Sequence, residues 1–157
     1  MKISEIKDAP QWLIDAKTEN EDVEIIEGVV VWKSGTWVDG TWECGYWKDG
    51  IWERGHWEDG YWGNGTWIDG NWEDGTLLGG YWINGTWRNG TWKYGEWRNG
   101  TWSNGKWKNG TWRNGTWHGG EWFDGEWQHG IWKDGLWKNG IGIMERGKME
   151  HGKMKHG

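Results

Sequence analysis

Residues 96–115 read EWRNGTWSNGKWKNGTWRNG, four consecutive five-residue units with tryptophan second and glycine fifth in each. Outward from this stretch the pattern x-W-x-x-G continues without a break from Val31 to Gly140, which makes 22 units. Glycine closes every unit, and tryptophan holds the second place in all but one, where Leu77 stands. The fourth place is Asn or Asp in 15 of the 22, and the first is Thr, Tyr, Ile or Val in 15. These two preferences make a strand-and-turn reading the natural one. The third place varies and carries most of the Lys, Arg and Glu.

Asn-Gly and Asp-Gly are strong turn signals because both residues tolerate positive φ. β-branched and aromatic residues favour extended backbone. Each unit therefore reads as a three-residue strand, x-W-x, followed by a two-residue turn. A helix is excluded: 3.6-residue winding scatters a five-residue repeat around the axis, and so much glycine destabilises it. In a three-residue strand the middle side chain points away from its neighbours. The indoles of Trp37, Trp42, Trp47, Trp52, Trp57, Trp62, Trp67, Trp72, Trp82, Trp87, Trp92, Trp97, Trp102, Trp107, Trp112, Trp117, Trp122, Trp127, Trp132 and Trp137 then share one face and form the structural core.

A flat sheet would leave that face in water, far beyond the apolar patch a soluble monomer tolerates. The expected fold class is all-β: an elongated array of short strands, curled like a β-solenoid with Trp inward. The alternative is an antiparallel meander of three-residue strands, which the Asn-Gly turns favour. Enclosure of Trp favours a coil similar to that of the four-sided pentapeptide-repeat proteins. The number of units per coil, its handedness and the sense of strand pairing stay open at this level. One unit cannot bury enough to stand alone, so stability must come from neighbours, as in other repeat arrays.

Composition agrees. Leu, Ile, Val and Phe are scarce, and the 22 tryptophans among 157 residues carry the apolar content. Each ring can bury ~150–250 Å². A single cysteine, Cys44, leaves no internal disulfide, which suits a reducing interior or a particle assembled there. No signal peptide and no transmembrane segment is read in residues 1–30. The net charge of −6 hides a gradient: residues 1–80 are acidic and residues 81–157 basic.

Three regions follow. Residues 1–30 read as an N-terminal cap of short irregular or helical pieces broken by Pro10 and followed by a strand. Trp12, Leu13 and Ile14 are placed to cover the first core layer, and VEIIEGVVVW reads as strand, turn at Gly28, strand. Residues 31–140 are the array. In residues 141–157 the frame slips by Ile141 and Gly142, then resumes as IMERG, KMEHG and KMKHG, with Met144, Met149 and Met154 where Trp stood. Methionine fills irregular space and would taper that end.

The GEWRNG segment at 95–100 and the closing HG units at 151–152 and 156–157 resemble the core of MORN repeats. In those repeats a G-x-W-x-N-G segment forms a strand and its hairpin turn. The MORN period is about 23 residues, whereas here it is five. The run 31–140, with its acidic lead-in and VWKSGTW start, looks more like the tandem W-x-x-G proteins of tailed bacteriophages and other large viruses. That resemblance covers nearly the whole chain and implies a virion or phage-encoded protein.

Catalytic chemistry is not expected. Ser4, Ser34 and Ser103 sit in no nucleophile motif, and the carboxylates recur at outward or turn places. No cofactor or metal is indicated. His151 and His156 occupy equivalent turn places, where a weak metal site is conceivable, but histidine also suits a turn in place of Asn. Cys44 reads as an incidental thiol. The candidate anion-contact residues are the third-place cations Arg88, Lys93, Arg98, Lys108, Arg113, Lys133 and Lys138, which regular stacking would arrange in rows against phosphates of nucleic acid or lipid. Exposed Trp rings would instead suit a glycan-binding adhesin. The leading expectation is a non-enzymatic structural or interaction protein. It would be a rigid scaffold or spacer, cytoplasmic or in a virion, with a protein partner or self-association. Binding of nucleic acid or anionic lipid by the basic half is the alternative.

Overall fold

The computed structural model describes residues 1–142 and 153–154. Strand pairing has one rule throughout the array. Thr86–Trp87 pairs in parallel with Thr101–Trp102, which pairs with Thr116–Trp117, always 15 residues on. One coil therefore consumes three pentads, and the chain winds as a three-sided parallel β-solenoid of about seven turns. With strands ~4.8 Å apart, the rod is about 34 Å long.

The first face carries Trp32, Trp47, Trp62, Leu77, Trp92, Trp107, Trp122 and Trp137. The second carries Trp37, Trp52, Trp67, Trp82, Trp97, Trp112 and Trp127. The third carries Trp42, Trp57, Trp72, Trp87, Trp102, Trp117 and Trp132.

The Trp-inward solenoid is the observed fold; the structure closes two points the sequence left open and corrects the strand length. The pentads do not form an antiparallel meander, because each turn leads to the next side of the coil and not back along the strand just left. The coil has three sides, not four. The strands are two residues long, not three, as in Thr101–Trp102. The third-place amide is still bonded: Ser103 N donates to the Trp87 carbonyl at 2.8 Å, and Thr101 N donates to the Gly85 carbonyl at 2.9 Å.

The turn chemistry also differs from the expectation. Only the glycine takes positive φ, +123° at Gly100. Among the described non-glycine residues, positive φ occurs at Asn20 and Glu27 alone. The fourth-place residue acts through its side chain instead. Asp124 Oδ1 accepts the Gly125 amide at 2.8 Å, and Asn109 Oδ1 accepts that of Gly110 at 2.7 Å.

Inside, the indoles fill the triangle. Along each face they stack nearly parallel, with Trp102 and Trp117 at 4.7 Å and 5°. Between faces they meet edge-on, with Trp102 and Trp107 at 5.9 Å and 74°. Both are favourable aromatic geometries. Each ring thus touches its neighbours on the same face and across the corner, and the three faces close on one another without a gap in the ring contacts of the Trp-bearing coils. Every array indole is buried, Trp137 being the most accessible at 5%. Leu77, also buried, interrupts the first-face ladder between Trp62 and Trp92. Two indole nitrogens are bonded at the corners, Trp102 Nε1 to the Gly119 carbonyl and Trp112 Nε1 to the His129 carbonyl, both at 3.1 Å, whereas sixteen others, Trp87 and Trp117 among them, are buried without a partner.

The first coil is closed by the N-terminal segment. Helix α1 (Gln11–Asp15) follows a short 3-10 turn at Ile3–Glu5. Strand β1 (Lys17–Ile26) then turns at Glu27 and Gly28, both with positive φ, into β2 (Val29–Asp39). β1 pairs antiparallel with β2 and so covers the edges of the first two faces. The Trp12 ring covers the third, 5.1 Å from that of Trp42. Leu13 is fully buried, but Ile14, expected to cover the core, points outward and is 53% exposed. Charged residues along β1 (Lys17, Glu19, Glu24) discourage further strand addition at this edge.

At the other end Ile141–Gly142 pairs with Glu126–Trp127, and Lys153–Met154 pairs with Leu136–Trp137. Trp137 and Met154 are matched at 17 residues instead of 15, which accounts for the two-residue frame slip. Met144, Met149, His151 and His156 lie outside the described residues.

Candidate functional site

With the second-place residues inside, the rod meets solvent through its first, third and fourth places. A 15-residue coil assigns every third pentad to the same face, and this sorts the charges in a way the linear sequence hides. The seven candidate cations divide among all three faces. Lys93, Lys108 and Lys138 lie on the first, Arg98 and Arg113 on the second, and Arg88 and Lys133 on the third. Only Lys93 with Lys108, and Arg98 with Arg113, are neighbours on successive coils.

The first face is the basic one. Its third places also hold Lys33 and Lys48, hold no carboxylate in the described coils, and adjoin Lys106 in a first place. Phe123 lies between two of these cations, with Lys108 Nζ 3.5 Å and Lys138 Nζ 4.0 Å from its ring centroid. Contacts of this length over an aromatic face are attractive. Lys138 also bonds Glu121 at 2.7 Å. That bond, with the charges of Lys138, Lys106 and Lys108, holds the Glu121 carboxyl below the ordinary range.

The second face joins an apolar stretch to an ionic one. Ile51, Ile68 and Tyr81 are 42%, 38% and 53% exposed. Further along, Glu96 accepts from Arg98 Nε at 3.0 Å and from Arg113 Nε at 2.7 Å. Burial pushes the Glu96 carboxyl up, but the hydrogen bonds of Arg113 and Arg98 outweigh it and leave the group below its ordinary value.

The third face changes sign along its length. Its third places run Glu43, Glu58, Glu73, Arg88, Ser103, His118 and Lys133. Arg88 Nε lies 3.2 Å from Glu73, and His56 Nε2 lies 3.8 Å from it. Such exposed pairs contribute little to stability.

The corner glycines leave shallow grooves between faces. Nearest the cap, a groove of about 430 Å³ is lined by Trp12, Val29, Tyr46 and Tyr61, with Cys44 among its lining residues. Tyr46 and Tyr61 stack at 6.3 Å. Sequence reasoning missed this groove, because Tyr46 and Tyr61 become neighbours only once the coil length is known. Cys44 is exposed. Among the described residues no three His, Cys, Asp or Glu are placed to hold a metal ion, and no helix is long and apolar enough to cross a membrane.

No family model, curated protein or solved structure matches the chain.

Proposed function

We propose that this chain is a non-enzymatic structural repeat protein, a stiff rod that holds whatever it joins at a fixed separation. One observation carries the reading. Three ladders of stacked indoles and a continuous set of parallel backbone bonds run the length of the array, with Leu77 as the single interruption of the ring pattern. Bending would have to separate close-packed rings and break those bonds together. The resemblance to tandem W-x-x-G proteins of phages and large viruses supports a place in a virion or in the cytoplasm where one assembles. The partner is then another protein or a second copy of the rod.

Rigidity is measurable. Spin labels on Cys44 and on a Lys133→Cys variant lie six coils apart, about 29 Å at ~4.8 Å per coil. Dipolar spectroscopy should give a narrow distance distribution. Deleting residues 96–110 removes one coil and should shorten the distance by ~5 Å with the fold intact. A broad distribution would overturn the rigid-spacer reading.

A second reading has its own support in the first face, whose lysines, unopposed in the third places, fit phosphates of nucleic acid or anionic lipid. Lys93→Ser with Lys108→Ser should weaken binding to duplex DNA or to phosphatidylserine vesicles and flatten its salt dependence. A wild-type rod that binds neither leaves the spacer reading alone. The glycan reading relied on exposed indoles, and the array indoles are buried.

A further inference from the structure

We infer that the second face is a self-pairing surface, on which two copies of the rod lie side by side, parallel, about a two-fold axis running along their length. The inference rests on the scaffold reading only in requiring an intact rod. It identifies the partner as a second copy.

The argument begins with the two outward rows of that face. The first-place row holds the carboxylates Glu96 and Glu126, and the third-place row holds Arg98, Arg113 and Gln128. A two-fold axis parallel to the rod leaves heights unchanged and lays the first-place row of one copy over the third-place row of the other. Glu96 then meets Arg98 of the second copy, and Glu126 meets its Gln128. Arg98 and Arg113 each use Nε toward the Glu96 of their own chain. The two side chains are 53% and 51% exposed, and the Arg98 guanidinium lies over the Tyr81 ring at 5.9 Å, which leaves the remaining donors accessible on the face. An arginine fork so placed can accept a second carboxylate.

The apolar residues fall into the same pattern. Tyr81 opposes Ile83 of the second copy, and Thr66 opposes its Ile68. Tyr81 and Ile68 are exposed and Ile83 is half-buried, and pairing removes their apolar surface from water. The one mismatch is Ile51 over Glu53, next to the cap. The antiparallel arrangement, centred on the fourth coil, sets Tyr81 and Ile83 each on its own copy and Glu53 on Arg113, but it places Ile68 on Arg98 and leaves Glu96 opposite Thr66, so the Glu96–Arg98 match is lost and an apolar side chain meets a charged one beside the centre. The other two faces offer no such match. The first is basic along both halves, and the third opposes unlike charges only at its ends.

A strip two side-chain rows wide and about seven coils long is at the low end of specific interfaces. The expected dimer is therefore micromolar.

The test is sedimentation velocity from micromolar to near-millimolar protein, in a Cys44→Ser background, with near-UV circular dichroism of the indoles reporting the fold. Wild type should move from monomer to dimer across this range. Arg98→Glu and Glu96→Arg should each shift the midpoint at least tenfold toward monomer. An equimolar mixture of the two should restore the dimer, because each altered row again faces its opposite charge. Ile68→Lys with Ile83→Lys should abolish it. A wild type monomeric throughout, or folded charge variants whose mixture stays monomeric, would overturn the inference. A monomer with a narrow label-to-label distance would do so while leaving the scaffold reading intact. A dimer with broad distances would do the reverse.

Discussion

The carbonyl oxygen of Gly85 occupies the place that a Cβ on Gly100 would need. It also accepts the Thr101 amide at 2.9 Å. The corner therefore excludes a side chain twice over, by its φ of +123° and by the backbone one coil back. Gly100→Ala is expected to cost at least ~3 kcal/mol, strain and collision together, measured by urea denaturation. Relieving the collision by moving the coils apart would break the hydrogen bond that defines their spacing. A neutral alanine would show that the corner is not closed in solution.

Trp102 tests the interior. Its ring stacks on Trp87 and Trp117 at 4.8 and 4.7 Å, and its nitrogen bonds the Gly119 carbonyl. Trp102→Ala should destabilise the rod by ~3–5 kcal/mol. Trp102→Phe, which keeps an aromatic ring but loses the N–H, should cost less than half of that. Equal effects would mean that stacking contributes nothing beyond the hydrogen bond.

Leu77 is the natural variant of the same experiment. It leaves Trp62 and Trp92 each without a stacked ring on one side. Leu77→Trp should complete the ladder and raise stability by ~1 kcal/mol, from added burial and ring contact. A loss of stability would indicate that the coil has contracted around the leucine and is overpacked by an indole.

Glu96 makes the rod sensitive to acid. Two arginine hydrogen bonds lower its carboxyl pKa against the opposing effect of burial. Its stabilising contribution is complete above the ordinary glutamate value of 4.5 and is lost as pH falls through the depressed folded value. Wild type should therefore lose more stability than Glu96→Gln on moving from neutral pH to below 4.5. Glu96→Gln should be the less stable of the two at neutral pH. Parallel denaturation curves at both ends of the range would remove Glu96 from the account.

How much of this was legible in the sequence follows from what repeats and what does not. A tryptophan every five residues with no competing apolar material requires an interior made of indoles, and the curled, Trp-inward array follows. The length of the coil was hidden because the pentads are nearly interchangeable. Thr101–Gly105 differs from Thr111–Gly115 only at the outward third place, Ser103 against Arg113, so no residue marks where a turn of the coil ends. That hidden number also determines which charges become neighbours. Arg98 and Arg113 share Glu96 because they differ by 15, whereas Arg88 and Lys93, closer in sequence, lie on different faces. Asn and Asp were rightly placed at turns but for another reason. Their side chains accept the next amide, a contact that propensity for positive φ does not reveal. Ile14 lies beside Leu13 in a short helix, and only the packing decides which of the two faces the core.

The ladders have an optical consequence. Indoles 4.7 Å apart and 5° from parallel, as at Trp102 and Trp117, are close enough for excitation energy to pass from ring to ring. Transfer along one ladder keeps the ring orientation, and transfer across a corner, where rings meet at 74° as at Trp102 and Trp107, changes it. One oxidised ring could then darken many of its neighbours, so the brightness of a preparation would report the chemical integrity of the whole filament rather than of a single site.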